Sequence, residues 1–260
     1  MSAGAPPRQR RSAADGCRLY AAYFTGKPDP QRGERVASDD FGYLAAWHRS
    51  VDRLGLEAVI LHDGLSPSFV ERHATERIRF EKAAPTAWST NDARFLAYRE
   101  HLARHPARRV FLTDISDVVV VREPFSTLAA LGVRLALGDE VYPAPIGHTI
   151  GCHAWLRHHI EATRTGVTDE VAEFFSGERL RLPTLNAGVI GGDGAAIAEL
   201  LDSFVALRER IGAPERNLNM PLINYLVHRD FAGRIHHGAP ITSRFKAGEI
   251  WRRDVCFVHK

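Results

Sequence analysis

Residues Val110–Phe125 read VFLTDISDVVVVREPF, and the fold turns on how that stretch is understood. Three apolar residues lead through Thr113 to Asp114, two residues follow, and then come a second acid, Asp117, and four valines. An apolar run such as Val110-Phe111-Leu112 predicts a strand covered on both faces, as in the sheet of an α/β protein. Asp114 then falls at the carboxyl end of that strand, where open α/β sheets bind their ligands. Burying two acids between apolar runs is costly unless a cation or hydrogen bonds compensate them. Mg²⁺ or Mn²⁺, which prefer oxygen ligands and can also hold a phosphate, are one such compensation. The other is local, with Asp114 as a turn residue or helix cap and Asp117 paired with Arg122. The stretch alone leaves both open.

On the amino side, Arg18–Thr25 (RLYAAYFT) predicts a first strand, closed by the Gly- and Pro-rich loop GKPDPQRG. Ser38-Asp39-Asp40 can cap a helix to about Leu54, and Glu57–His62 predicts a second strand. A short helix from Ser66 to about His73 and a weak strand at Ile78–Phe80 follow. Ser89–His105 predicts a long helix stopped by Pro106. On the carboxyl side, a helix runs from Glu123 to about Leu131 with Pro124 in its first turn, then a strand at Val133–Gly138. Helical segments are expected from His153 and over Thr168–Ser176. Leu185–Gly191 predicts a strand, Asp193 caps a helix to about Ile211, Asn217–Arg229 forms another, and Asp254–His259 is a last strand. Helices alternating with strands imply a mostly parallel sheet in a three-layer α/β/α sandwich.

The chain of 260 residues has 45% apolar and 25% charged residues and a net charge of +3, ordinary values for a soluble globular protein. Arginines are scattered among acids rather than gathered in a basic stripe, which argues against a nucleic-acid partner. The three cysteines lie far apart with no CxxC spacing, so neither a disulfide framework nor a structural zinc site is expected. No apolar run approaches the roughly 18 residues of a membrane span. Met1–Gly16 lacks the apolar core of a signal peptide and reads as a disordered tail before a single cytoplasmic domain, 17–260.

Several groups can carry chemistry. In the loop after the first strand, Thr25 and Arg32 can meet a nucleotide or simply form a turn, and Arg94 can reach a phosphate or lie in solvent. Leu185–Gly192 (LNAGVIGG) is more telling. Asn186 carries a donor and an acceptor, and Ala187 and Gly188 let another group approach the backbone closely, which suits recognition of sugar hydroxyls. Asn219 and Asn224, five apart on a helix, lie some 140° apart and need not face one ligand. His259 ends an apolar strand and can be a third metal ligand or a surface residue. His101 and His105 have zinc-compatible spacing, but no third ligand or nearby acid is evident in the sequence, so they read as surface residues.

Together these pieces resemble the GT-A-type nucleotide-sugar-dependent glycosyltransferases, from about Arg18 to His259. An arginine-bearing helix (NDARFLAY) precedes an acidic motif at a strand end; LNAGVIGG is similar to the family's Asn-Ala-Gly strand, NMPLIN to its acidic-amide helix, and FVHK supplies a near-terminal histidine. The resemblance implies a GT-A-like fold and an enzyme that moves a sugar from a UDP- or GDP-sugar donor to an acceptor, whether glycan, lipid, protein or small molecule. It implies that Asp114 and Asp117, with His259, bind Mn²⁺ or Mg²⁺ bridging the donor diphosphate. Thr25 and Arg32 would lie near the nucleotide, Arg94 near the diphosphate-sugar, Asn186 with Gly188 at the donor sugar, and Asn219 at the reacting region. Two departures stand out: the acids are separated by two residues rather than one, with Asp117 favoured as principal ligand, and Asn219 stands where many relatives have an acid. The second, with the terminal histidine, favours a retaining transfer. The alternatives are a sugar nucleotidyltransferase and a degenerate domain that binds nucleotide sugar without turnover.

Overall fold

Successive side chains of an extended chain leave opposite faces, so the runs Leu19-Tyr20-Ala21 and Val110-Phe111-Leu112 can only be satisfied by a core on each side of the sheet. The computed structural model, which describes residues 16–140 and 149–260, has that arrangement. Tyr20, Val110 and Leu112 join Phe95, Leu156, Phe204 and Leu222 in one apolar cluster, while Leu19, Ala21 and Phe111 join Trp47, Phe69, Phe125 and Phe257 in the other. Residues 1–15, where the flexible tail was expected, lie outside the described residues.

The elements are β1 (Cys17–Tyr23), α1 (Phe41–Arg53), β2 (Ala58–His62), α2 (Pro67–His73), β3 (Ile78–Lys82), α3 (Thr90–Arg104), β4 (Arg109–Thr113), β5 (Val118–Val120) and α4 (Pro124–Leu131). They continue with β6 (Leu135–Glu140), α5 (Ala154–Glu161), α6 (Glu170–Phe174), β7 (Leu185–Asp193), α7 (Gly194–Ile211), α8 (Asn219–Asp230), β8 (Ile235–His237), β9 (Arg244–Phe245) and β10 (Phe257–His259). The starts of helices follow local chemistry. Asp40, Ser66 and Ser89 accept amide hydrogens of α1, α2 and α3, and Glu123 accepts two from α4 ahead of Pro124. Asp193 occupies the cap position of α7, but its side chain bonds no helix amide and lies 3.7 Å from Arg109 Nε instead.

The main sheet has the order β3-β2-β1-β4-β7-β6-β8, with β9 also against β6. All its pairings are parallel except those of β7, which runs antiparallel to β4 and β6. Helices α1, α2 and α4 cover one face and α3, α5, α7 and α8 the other, giving the three-layer α/β/α sandwich. β5 and β10 form a separate antiparallel ribbon.

One buried ion pair ties three helices together. Arg208 of α7 and Asp92 of α3 are both inaccessible to solvent, and Arg208 Nε donates to Asp92 Oδ2 at 2.7 Å. Asp92 also accepts the Leu218 amide, while the guanidinium donates to the carbonyls of Gly212, Ala213, Pro214 and Arg216. Burial raises the Asp92 carboxyl and Arg208 opposes the shift. The pair thereby satisfies the carbonyls of the loop from α7 to α8, which no secondary structure would satisfy.

Candidate active site at the end of strand four

β4 ends at Thr113 while both of its neighbours run on, β1 to Tyr23 and β7 back to Leu185. The Asp114 amide makes a last bond to the Gly188 carbonyl at 2.8 Å, and the chain then turns through buried Ile115 to Asp117. The valines do not prolong β4. They form β5, which leaves the main sheet and pairs with β10 in the register Val118↔His259, Val119↔Val258, Val120↔Phe257. That pairing brings His259 from the far end of the sequence to the two acids. Its Nε2 lies 3.7 Å from Asp114 Oδ2 and 3.8 Å from Asp117 Oδ1. The His259 backbone is fixed from both sides, since its amide donates to Ser243 Oγ at 2.9 Å and the Lys260 amide donates to the Asp117 carbonyl at 2.9 Å. The Phe245 ring packs on the imidazole at 4.3 Å between centroids.

The electrostatics of this corner are unusual. His259 is 2% exposed, and burial, reinforced by the charges of Arg94 and Lys246, pushes its pKa down to about 3. The imidazole is therefore neutral at ordinary pH, and neither ring nitrogen has a hydrogen-bond partner among the described residues. Asp117 Oδ1 is unpartnered too. Burial raises the Asp117 carboxyl, against the attraction of Arg94, Arg32 and Lys246. A neutral imidazole and a carboxylate that face each other with their bonding capacity unspent are costly unless something satisfies both. A divalent cation does so, and one imidazole with two carboxylates suits Mn²⁺ or Mg²⁺. The residues fit the ion.

Arg94 and β7 complete the surroundings. Arg94 Nη1 donates to Asp114 Oδ1 in a very short contact, and its Nη2 reaches the Ala187 carbonyl at 3.4 Å. Asn186 is held at both ends of its amide, with Nδ2 donating to Glu140 and Oδ1 accepting from Gly188 N at 2.6 Å. The register between β6 and β7 shifts at Leu137/Gly138, passing from Ile190 to Asn186, so residues 187–189 bulge opposite β6 while Gly188 bonds Asp114. Gly188 is required here. A Cβ at this position would overlap the His259 ring and lie 2.6 Å from Asp114 Oδ2 and 2.8 Å from Asn186 Oδ1. Gly188→Ala is therefore expected to cost about 1–3 kcal/mol through overpacking and, if the corner holds a cation, to disrupt its binding. Thermal denaturation with and without Mn²⁺ checks this, and a wild-type response would show that the crowding is relieved elsewhere.

The structure thus brings Asp114, Asp117, His259, Arg94, Asn186 and Gly188 into one place. Arg32 is close enough to Asp117 to act on its charge, but Thr25 is occupied structurally, its amide and hydroxyl both bonding Asp63 Oδ1. Asn219 is buried, and its side-chain oxygen accepts from the Met220 amide. Asn224 clamps β7 through the Leu185 amide and carbonyl. Arg122 donates to the Asp254 carbonyl at 3.1 Å, which sets aside its suggested pairing with Asp117. Sequence reasoning missed Lys246 and Glu140. Lys246 sits in an irregular segment with no periodicity to mark it, and Glu140 lies beyond Gly138, where the strand was expected to end, although β6 runs on to include it.

No family model matches the sequence, and a search of curated proteins finds no match. Solved structures do match. An active-site mutant of LgtC superposes with a TM-score of 0.53 and 15% identity, covering 93% of this chain and 86% of that chain. The galactosyltransferase LgtC in complex with donor and acceptor sugar analogs gives 0.50 and 16% over the same shares. At such identity the likeness concerns the fold, and the fold is that of the GT-A glycosyltransferases.

Proposed function

We propose that this GT-A chain is a metal-dependent glycosyltransferase, taking a sugar from a UDP- or GDP-sugar and passing it to an acceptor. The observation that carries the reading is the corner of Asp114, Asp117 and His259, with a buried neutral imidazole and a carboxylate oxygen left unpartnered at the carboxyl end of β4. Asp117 and His259, with Asp114 Oδ2, would hold Mn²⁺ or Mg²⁺, which supplies Lewis-acid stabilisation to the departing diphosphate.

The remaining steps belong to the chain's own groups. Arg94 orients Asp114 and adds a fixed positive charge beside the site, and Lys246 and Arg32 add two more. Such preorganised cations stabilise charge that develops as the sugar–phosphate bond breaks. Asn186, locked between Glu140 and Gly188, can address donor hydroxyls without paying for its own ordering. An inverting transfer needs a carboxylate base at the acceptor. Glu140 is engaged with Asn186, and positions 186 and 219 carry amides, so a retaining course is favoured, with Asn219 near the reacting region. Acceptor selection falls to the 141–181 region, of which 141–148 lie outside the described residues. Among the described residues no helix is long and apolar enough to cross a membrane, and we place the enzyme in the cytoplasm.

The test is a panel of UDP- and GDP-sugars with Mn²⁺, read by thermal stabilisation and by release of nucleoside diphosphate. Bound donor raises apparent stability by mass action. One donor is expected to stabilise the protein only with Mn²⁺ and to turn over. Binding without turnover would favour a degenerate nucleotide-sugar-binding domain, and no response to any donor would sink the reading.

A further inference from the structure

A second cluster of metal-binding groups lies along α3, about two turns beyond Arg94. Glu81 of β3, His101 of α3 and His105 just after it each offer one ligand atom, and these atoms lie within 4.8 Å of one another. The sequence suggested no third ligand for the two histidines because β3 was expected to end at Phe80, one residue short. In the structure β3 continues to Lys82, and alternation sends Glu81 to the α3 side of the sheet. His101 is not a surface residue either, being 1% exposed.

We propose that Glu81, His101 and His105 form a binding site for Zn²⁺, independent of the Asp114–Asp117–His259 corner. Two imidazoles and one carboxylate are a ligand set that Zn²⁺ takes readily, with the fourth position left to water. Hard Mg²⁺ prefers an oxygen-rich set, so the two clusters differ in ion preference. The groups are already nearly in place. His101 Nε2 is 2.9 Å from Glu81 Oε2, and the His101 and His105 rings are 4.6 Å apart between centroids. Two ligands at zinc bond lengths of ~2.0–2.1 Å subtend roughly 3.3 Å in a tetrahedron, so the carboxylate need retreat only a few tenths of an ångström. Glu81 and His105 are partly or fully exposed and can make that adjustment.

The support behind His101 is of the kind metal sites use. Its Nδ1 lies 3.0 Å from the hydroxyl of Tyr20, a side chain buried in the middle of β1. A hydroxyl can accept as well as donate, so Tyr20 can hold the Nδ1–H tautomer that frees Nε2 for the ion. Arg18, whose charge acts on His101, is held by its bonds to Tyr20 Oη and the His105 carbonyl, each at 3.2 Å. The ion would pin the edge of the sheet at β3 to the carboxyl end of α3.

Untagged protein stripped with a chelator and titrated with Zn²⁺ against a chromophoric competitor tests the proposal. An Asp117→Ala background removes the other cluster from the count. One equivalent of Zn²⁺ is expected to bind there and to resist millimolar Mg²⁺. His105→Ala and Glu81→Gln, both at accessible positions, are expected to abolish that equivalent, and Tyr20→Phe to weaken it ~10–100-fold. If the background protein takes up no zinc, or if Glu81→Gln binds it unchanged, the proposal is overturned. Failure of every sugar donor in the panel above would leave this result untouched.

Discussion

Replacing Asp117 by alanine is expected to lower Mn²⁺-dependent turnover of the sugar donor by about a thousandfold or more. A metal acting as Lewis acid supplies several kcal/mol of transition-state stabilisation, and each ~1.4 kcal/mol is tenfold in rate. Asp117 is the better target of the two acids because of how their oxygens are spent. Asp114 Oδ1 is engaged by Arg94, whereas Asp117 Oδ1 has no partner among the described residues and faces His259 Nε2. The charges of Arg94, Arg32 and Lys246 remain in this variant, so the loss reports the metal rather than the cations around it. Steady-state kinetics at saturating Mn²⁺ measure the effect, and an unchanged kcat/KM would show that the corner has been misread.

The largest effect on stability is expected at the buried ion pair. Arg208→Ala leaves Asp92 inaccessible and without its ion-pair partner, and strips donors from the carbonyls of Gly212, Ala213, Pro214 and Arg216. Breaking such a pair by removing one partner costs about 3–5 kcal/mol, a large share of the ~5–15 kcal/mol that holds a typical domain together. The exposed pair Arg181–Glu178 provides the control, since surface pairs contribute only about 0–1 kcal/mol. Urea midpoints of Arg208→Ala and Arg181→Ala should differ widely. Removing both buried charges as Asp92→Leu/Arg208→Met should cost less than the sum of the single losses. Equal midpoints for Arg208→Ala and Arg181→Ala would refute the account.

Much of this architecture was legible in the residues. Caps such as Asp40 and Ser66, the Pro124 start of α4 and the stop before Pro106 act locally, so the helices could be bounded from neighbours in sequence. The acids, the Asn186–Gly188 segment and His259 could be named because each residue type is matched to a chemistry. What stayed hidden depends on long-range pairing. Nothing in VVVV says that these residues leave the main sheet to meet FVH, since an apolar run looks the same in either strand. The antiparallel sense of β7 is equally silent in LNAGVIGG. Arg94 resembled a solvated helix arginine because its partner, Asp114, belongs to another element. Nothing in the sequence sets Asp92 and Arg208 apart from the other charges on their helices, and only packing removes them from water.

The ribbon of β5 and β10 has one more consequence. Three residues pair on each strand, and β10 is tied further by the Phe257 amide to the Ile241 carbonyl and by the Ser243 amide to the Phe257 carbonyl. Val118, Val120 and Phe257 are inaccessible to solvent, so the ribbon belongs to the core rather than to its fringe. If the corner holds an ion as proposed, the last residues of the chain and the turn after β4 become one unit, and loosening either would release the ion from both.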